Sequence, residues 1–206
     1  GCPVSIEGEV PSAALAELLH GRGRGHTNLL SILFSERVSG GLVIDGKLCR
    51  GRSGFGGAIA HLRIDSSESA RSCVCGRRGC LAAYCSLGAL AFDPGKPSGS
   101  SSAGLEVGKR ALAGDAAALT AVQRVGSALG EGLALVQNML DLDAITLVTP
   151  LPGLFGLLQT PLREALRAGV FGAPACEVPV LESLLGTDAA LIGAAELAQR
   201  GVTENA

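Results

Sequence analysis

The sequence predicts an α/β layered domain built on a mixed sheet. Strand-length and helix-length apolar patterns alternate through the second half of the chain, as expected of helices packed on a sheet with parallel strands. In the first half, Asp45-Gly46 lies between two short apolar runs, a hairpin signal that makes part of the sheet antiparallel. Of 206 residues, 47% are apolar and 17% charged, with mean hydropathy +0.38, enough apolar material to bury a core.

The elements follow in order. Residues 3–6 read as a short extended piece. Pro11-Ser12 opens an apolar-periodic helix over 13–19, stopped by Gly21 and Gly23. Residues 29–34 form a continuous apolar run of strand length, and 42–44 and 48–50 flank the hairpin turn. A glycine-rich loop at 51–57 leads into 58–64. Residues 65–80 crowd three cysteines together, and 81–90 read as a short helix. Residues 93–104 form a linker-like loop. A long helical pattern spans 105–140, broken or bent by glycines, with Asp115 capping its second section. Residues 145–148 are a buried strand, 160–167 a helix with Pro161 in its first turn, and 176–180 another strand. Asp188 caps a last helix through Gln199, ended by Gly201. The chain 1–206 reads as a single domain.

Composition narrows the function. A net charge of −2 provides no positive field for a polyanion. No apolar run reaches the roughly 18 residues of a membrane span, and the start lacks the basic-then-apolar layout of a signal peptide. A cytoplasmic setting is therefore expected. The chain begins at Gly1 and its one methionine is Met139, so it reads as a piece of something longer. Aromatics make up 3% and glycines number 30, so Leu, Val, Ile and Ala must build the core.

The strongest chemical signal is His61 followed by Cys73, Cys75 and Cys80. Zinc takes four thiolate or imidazole ligands in a tetrahedron. Cys75 and Cys80 bracket a turn containing two glycines, and Cys73 is expected on the same face of an extended chain as Cys75. A closed shell of three thiolates and one imidazole points to a structural Zn2+ ion, since no position is left for water. The competing reading is buried or loosely reactive thiols. Cys2, Cys49, Cys85 and Cys176 are scattered singly and read as core fillers.

The segments GFGGAIAHLRI (54–64) and CVCGRRGCLAAYCS (73–86) resemble the signature of the ROK family, which groups bacterial repressors with sugar kinases. GGLVIDGKLCRG (40–51) resembles that family's hairpin, LGTDAALIGAAELA (185–198) its C-terminal helix, and VSIEGEVPSAALAE (4–17) falls at its Glu-Asn-Asp-Ala-Asn helix start. The resemblance implies the larger, C-terminal lobe of an actin-like ATPase, a ribonuclease-H-like fold with a mixed sheet flanked by helices and a zinc-binding loop. The N-terminal lobe, with its phosphate motif, and the winged-helix DNA-binding domain of repressor members are absent from this chain.

Departures from the family pattern are expected to matter. Where kinase members place an Asn-Asp pair whose aspartate is the general base, this chain has Gly8-Glu9. Ala58 and Ala82 replace two sugar-holding glutamates, and a methyl cannot accept a hydroxyl proton. The family's Gly-Thr-Gly phosphate turn is replaced by residues 35–41, where Glu36 would repel phosphate and Arg37 stands in place of a bare backbone. A late adenosine-facing glycine pair has become Thr149-Pro150. The expected ligand pocket is thus degenerate, comprising Gly8, Glu9, Ala58, His61 and Ala82, with no catalytic residue.

The resulting expectation is an effector-sensing and oligomerisation lobe of a ROK-type transcriptional regulator. It would be a homodimer or tetramer, answer to a sugar or sugar-like effector, and reach DNA only through a domain outside this chain. The alternatives are an active, glucokinase-like sugar kinase with unusual residues and a ligand-free assembly domain. Among lesser candidates, His20 and His26 flank an Arg22/Arg24 glycine loop that reads as a solvated turn. Arg77 and Arg78 read as solvent-facing, with a salt bridge to a partner subunit as the other option. Ser53 and Ser86 lack a His–Asp arrangement.

Overall fold

The computed structural model describes residue 4 and residues 6–92, 99–172 and 175–203. Cys2, Pro3, residues 93–98 of the expected linker and the side chain of Cys176 lie outside the described residues. The elements are α1 (Glu9–Leu19), β1 (Leu29–Phe34), β2 (Val38–Ile44), β3 (Lys47–Leu48), α2 (Leu87–Leu90), α3 (Ser101–Leu112), α4 (Ala116–Leu140), β4 (Ala144–Val148), α5 (Leu154–Gly169), β5 (Val180–Glu182) and α6 (Ala189–Thr203).

The sheet order is β3-β2-β1-β4-β5. β1 pairs antiparallel with β2 and parallel with β4, so the sheet is mixed, as the alternating pattern and the hairpin signal together predict. Strand pleating sends neighbouring side chains to opposite faces. On one face Leu30, Ile32, Phe34, Ile145 and Leu147 meet Leu129, Leu133, Leu158 and Leu162 of α4 and α5. On the other, Leu29, Val43 and Ala144 meet Ala14 of α1, and Val148 meets Ala13, Ala16 and Ala189. The central strands are buried on both sides, which explains their nearly continuous apolar runs, interrupted only by the buried Ser31 and Thr146.

Several boundaries move from the sequence expectation. β2 begins at Val38, so only Ser35, Glu36 and Arg37 make the β1–β2 turn. Residues 81–90 hold a 3-10 turn (Leu81–Ala83) and the one-turn α2, capped by Ser86, whose Oγ accepts from the Ala89 amide at 3.1 Å. Residues 101–104 belong to α3, because Gly104 packs its bare Cα on the Leu87 carbonyl of α2.

The 105–140 pattern breaks at residues 113–115, with Asp115 capping α4 as expected. Gly126, Gly130 and Gly132 do not interrupt α4. Their missing side chains let neighbours approach: a Cβ on Gly126 would lie 2.7 Å from Pro161 Cγ, and one on Gly130 would lie 2.8 Å from Ala165 Cβ. The same packing explains α5, which starts six residues earlier than expected and carries Pro161 in its interior. The last strand is Val180–Glu182, four residues late, with Ala175–Glu177 in a 3-10 turn. α6 runs through Gly201 to Thr203.

Candidate functional site

The four residues singled out as metal ligands converge. The Nδ1 or Nε2 of His61 and the Sγ atoms of Cys73, Cys75 and Cys80 all lie within 4.8 Å of one another. Cys73 Sγ is 3.7 Å from His61 Nδ1, and Cys75 Sγ is 3.7 Å from Cys80 Sγ. Ligands about 2.3 Å from a tetrahedral ion stand roughly 3.8 Å apart, which the two 3.7 Å pairs match and the 4.8 Å limit on the quartet exceeds by about 1 Å. Cys73 and Cys80 are buried, whereas His61 and Cys75 are exposed, leaving the centre at the surface.

The path of the chain explains the convergence, and it differs from the extended segment expected. Residues 73–76 form a tight turn in which the Gly76 amide donates to the Cys73 carbonyl at 3.0 Å. The Cys73 amide then donates to the Arg77 carbonyl at 2.8 Å, and Ser72 bridges Arg78. The sulfurs therefore meet by a reversal of the backbone, not by strand pleating. Gly76 and Gly79 take φ of +83° and +78°, which side-chain-bearing residues adopt at a cost. Gly79 is constrained further, because a Cβ there would collide with the Asp65 carbonyl. His61 ends a 3-10 turn, Ile59–His61, and Arg63 bridges Cys80, binding the His61 limb to the hairpin.

A polar network braces this loop and is not legible in the sequence. The Tyr84 hydroxyl donates to Asp65 Oδ2 and accepts from the Arg71 amide at 2.8 Å. Hydrogen bonds from Tyr84 and Ser67 hold the Asp65 carboxyl below its ordinary range. Arg78 is exposed, as expected, and also donates from Nε to the Ala70 carbonyl at 2.8 Å and from a terminal nitrogen to the Glu68 carbonyl. Desolvation raises the Cys80 thiol to about 12, whereas the Arg77 amide lowers the exposed Cys75. Cys85 is fully buried in the core and its thiol is raised, as a core filler's would be; Cys49 is half-buried.

The five ligand-pocket positions are dispersed. Gly8 precedes α1 and Glu9 is its exposed first residue. Ala58 lines an apolar groove with Leu62, Met139 and Leu140, whereas His61 lines a small pocket with Arg63, Arg77 and Arg78. Ala82 lines a third cavity of about 370 Å³, together with Glu36, Arg37, Ser86 and Phe92. Glu36 and Arg37 are exposed, and Ser35 closes its own turn by donating to the Arg37 carbonyl. Thr149 and Pro150 line a further pocket with Ser183 and Thr187. No one of these cavities takes in all five positions, whereas His61, Cys73, Cys75 and Cys80 meet at one point.

Of the lesser candidates, His20 pairs with Glu196 of α6 at 2.7 Å, and Arg22 and Arg24 are exposed. Among the described residues, no helix is long and apolar enough to cross a membrane.

The family model described as the ROK family matches residues 1–201. The chain is 28% identical to the glucokinase of Streptomyces coelicolor over 221 residues, covering 97% of this chain and 68% of that protein. It is also 28% identical to the xylose repressor of Bacillus subtilis over 191 residues, covering 93% of this chain and 49% of the repressor. A crystal structure of a ROK family glucokinase from Streptomyces griseus, in complex with glucose and AMPPNP, superposes with a TM-score of 0.82 at 29% identity. It covers 96% of this chain and 69% of that one. A ROK family transcriptional regulator homologous to Escherichia coli Mlc superposes equally well, at 26% identity, over 96% of this chain and 52% of its own. The chain thus spans about half the length of the regulators and about two thirds of the kinases it matches.

Proposed function

From the chain's membership of the ROK family, we propose that it is the effector-sensing and oligomerisation lobe of a cytoplasmic transcriptional regulator, without kinase activity. Similarity alone does not separate the two branches, since glucokinases and repressors match equally well. The observation that favours the regulator is the substitution pattern. Ala58 and Ala82 offer no acceptor to a sugar hydroxyl, Gly8 has no side chain, and Arg37 occupies the phosphate turn. Glu9 keeps a carboxylate one methylene longer than aspartate, and a misplacement of about 1 Å can cost roughly 100-fold in rate. Under this reading a hexose binds weakly or not at all, and the effector is another molecule or the lobe serves assembly.

In the same reading His61, Cys73, Cys75 and Cys80 hold zinc. A zinc ion with four protein ligands supplies a closed structural cross-link, because no position remains for substrate or water. The work of the chain itself is positional. The Tyr84–Asp65 hydrogen bond and the Arg78 brace hold the hairpin while the Ile59–His61 turn delivers the imidazole. Ala58 precedes that turn and Ala82 follows Cys80 by two residues, so the order of the loop governs both cavities they line.

The second reading, an active sugar kinase, is favoured by the exposed carboxylate of Glu9 at the start of α1. One assay separates the two. The full-length protein is given ATP and a hexose panel, and ADP release is followed. No turnover above background supports the regulator; rates in the ordinary kinase range of about 1–100 per second overturn it.

A further inference from the structure

A further cavity lies apart from the metal ligands and the ligand-pocket positions, although one of its walls is the Tyr84–Asp65 brace. It has a volume of about 510 Å³ and lies between the stem of the cysteine loop and the outer face of α4. Ile64, Asp65, Arg71 and Tyr84 form one wall, and Gln123, Arg124, Ser127 and Glu131 line the other. Two guanidinium groups face this space and repel one another across it.

Arg71 is fixed before any ligand arrives. Its Nη1 donates to the Ala83 carbonyl at 3.2 Å, and its guanidinium lies 3.5 Å from the Phe92 ring centre and 4.6 Å from that of Tyr84. Stacking of this kind holds the planar group while leaving its edge free to donate. The nearby acid, Asp65, keeps its charge and attracts Arg71, but its oxygens accept from the Tyr84 hydroxyl and the Ser67 amide. Arg124 has no ion-pair partner among the described residues. A like-charged pair with donors to spare, lining one cavity, is complementary to an oxyanion, which arginine binds through parallel hydrogen bonds.

Polarity within the cleft gives the ligand a direction. Glu131 stands seven residues, about 10 Å, along α4 from Arg124. It would repel an anionic group and accept from a hydroxyl; Ser127 lies between the two ends, and Gln123 stands beside Arg124 at the other. We propose that this cleft binds a small hydroxylated molecule through a phosphoryl or carboxylate group held by Arg71 and Arg124. The site lies outside the degenerate pocket, and it stands whether or not the lobe is a regulator. An occupant would touch the stem of the cysteine loop through Arg71, two residues before Cys73.

Titration calorimetry on the metal-loaded full-length protein at constant ionic strength tests this, with inorganic phosphate and citrate as probes. Saturable binding of at least one probe is expected, with affinity reduced roughly tenfold or more in Arg124→Gln, the order that a charge-assisted hydrogen bond supplies. Glutamine keeps the helix propensity of this exposed position, so the variant should fold. Arg24→Gln, in the solvated turn after α1, should leave binding unchanged. Binding of phosphate alone assigns a phosphoryl ligand; binding of citrate alone assigns a carboxylate. Failure of both probes to saturate, or equal losses in Arg124→Gln and Arg24→Gln, overturns the proposal.

Discussion

Replacing Gly79 with alanine should release metal far more readily than the same change at Gly76, although both glycines share one conformation. Each has φ near +80°, and placing an alanine there costs about 1–2 kcal/mol. Around Gly76 nothing lies within 4 Å of the added methyl, so the backbone term is the whole effect. One to two kcal/mol corresponds to roughly five- to thirtyfold weaker retention. At Gly79 the methyl collides with the Asp65 carbonyl, a backbone atom that cannot rotate away. Relief requires the 64–65 segment to shift, losing the hydrogen bonds from the Ile64 and Asp65 amides to the Gly79 carbonyl, at 2.9 and 3.2 Å. Two lost bonds add about 1–3 kcal/mol, so retention should fall at least another fivefold or so. Competition with a chromophoric chelator, run on both variants and the parent protein, reads these constants directly. If Gly79→Ala retains metal as well as Gly76→Ala, the loop is not held as described.

Three further outcomes are expected. Gly130→Ala should destabilise by about 1–3 kcal/mol despite alanine's helix propensity, because α5 backbone closes on that position, whereas Gly156→Ala, with nothing within 4 Å, should stabilise by about 0.5–1 kcal/mol; thermal unfolding gives the opposite signs. Asp143→Ala should cost about 1–3 kcal/mol, since its carboxylate accepts from the Thr27 amide and hydroxyl and from the Asn28 amide at 2.8–2.9 Å, tying the start of β1 to β4. Those bonds hold Asp143 below its ordinary pKa, so its contribution is present above pH 3.8 and fades as pH falls through the lowered value, a slope that urea titrations on the variant should lack. Burial raises the carboxyl of Glu17 in the opposite sense: its contribution is full below pH 4.5 and is lost as pH rises through the raised value. Glu17→Gln should flatten that decline in the same titrations.

What could be read from the chain and what could not divide along a physical line. The central strands 29–34 and 145–148 were legible because burial on both faces demands mostly apolar residues, with Ser31 and Thr146 the small polar exceptions, and Asp115 because a capping carboxylate acts within three residues of itself. The metal quartet was legible because cysteine and histidine are rare and their chemistry is particular. Its route was not: a turn and a pleat both place residues two apart on one side, and only the Cys73 carbonyl's partner decides between them.

The sequence by itself determined the mixed α/β class, the core strands and the His61–Cys73–Cys75–Cys80 set that could hold a metal, since each rests on residue type or on the spacing of a short stretch of chain. Tertiary structure alone decided that the α4 glycines pack against α5, that Pro161 sits mid-helix, that Arg78 braces the loop and that Arg71 and Arg124 share a cleft. Those outcomes depend on atoms distant in the chain, and local propensity carries no information about what will arrive opposite a given face.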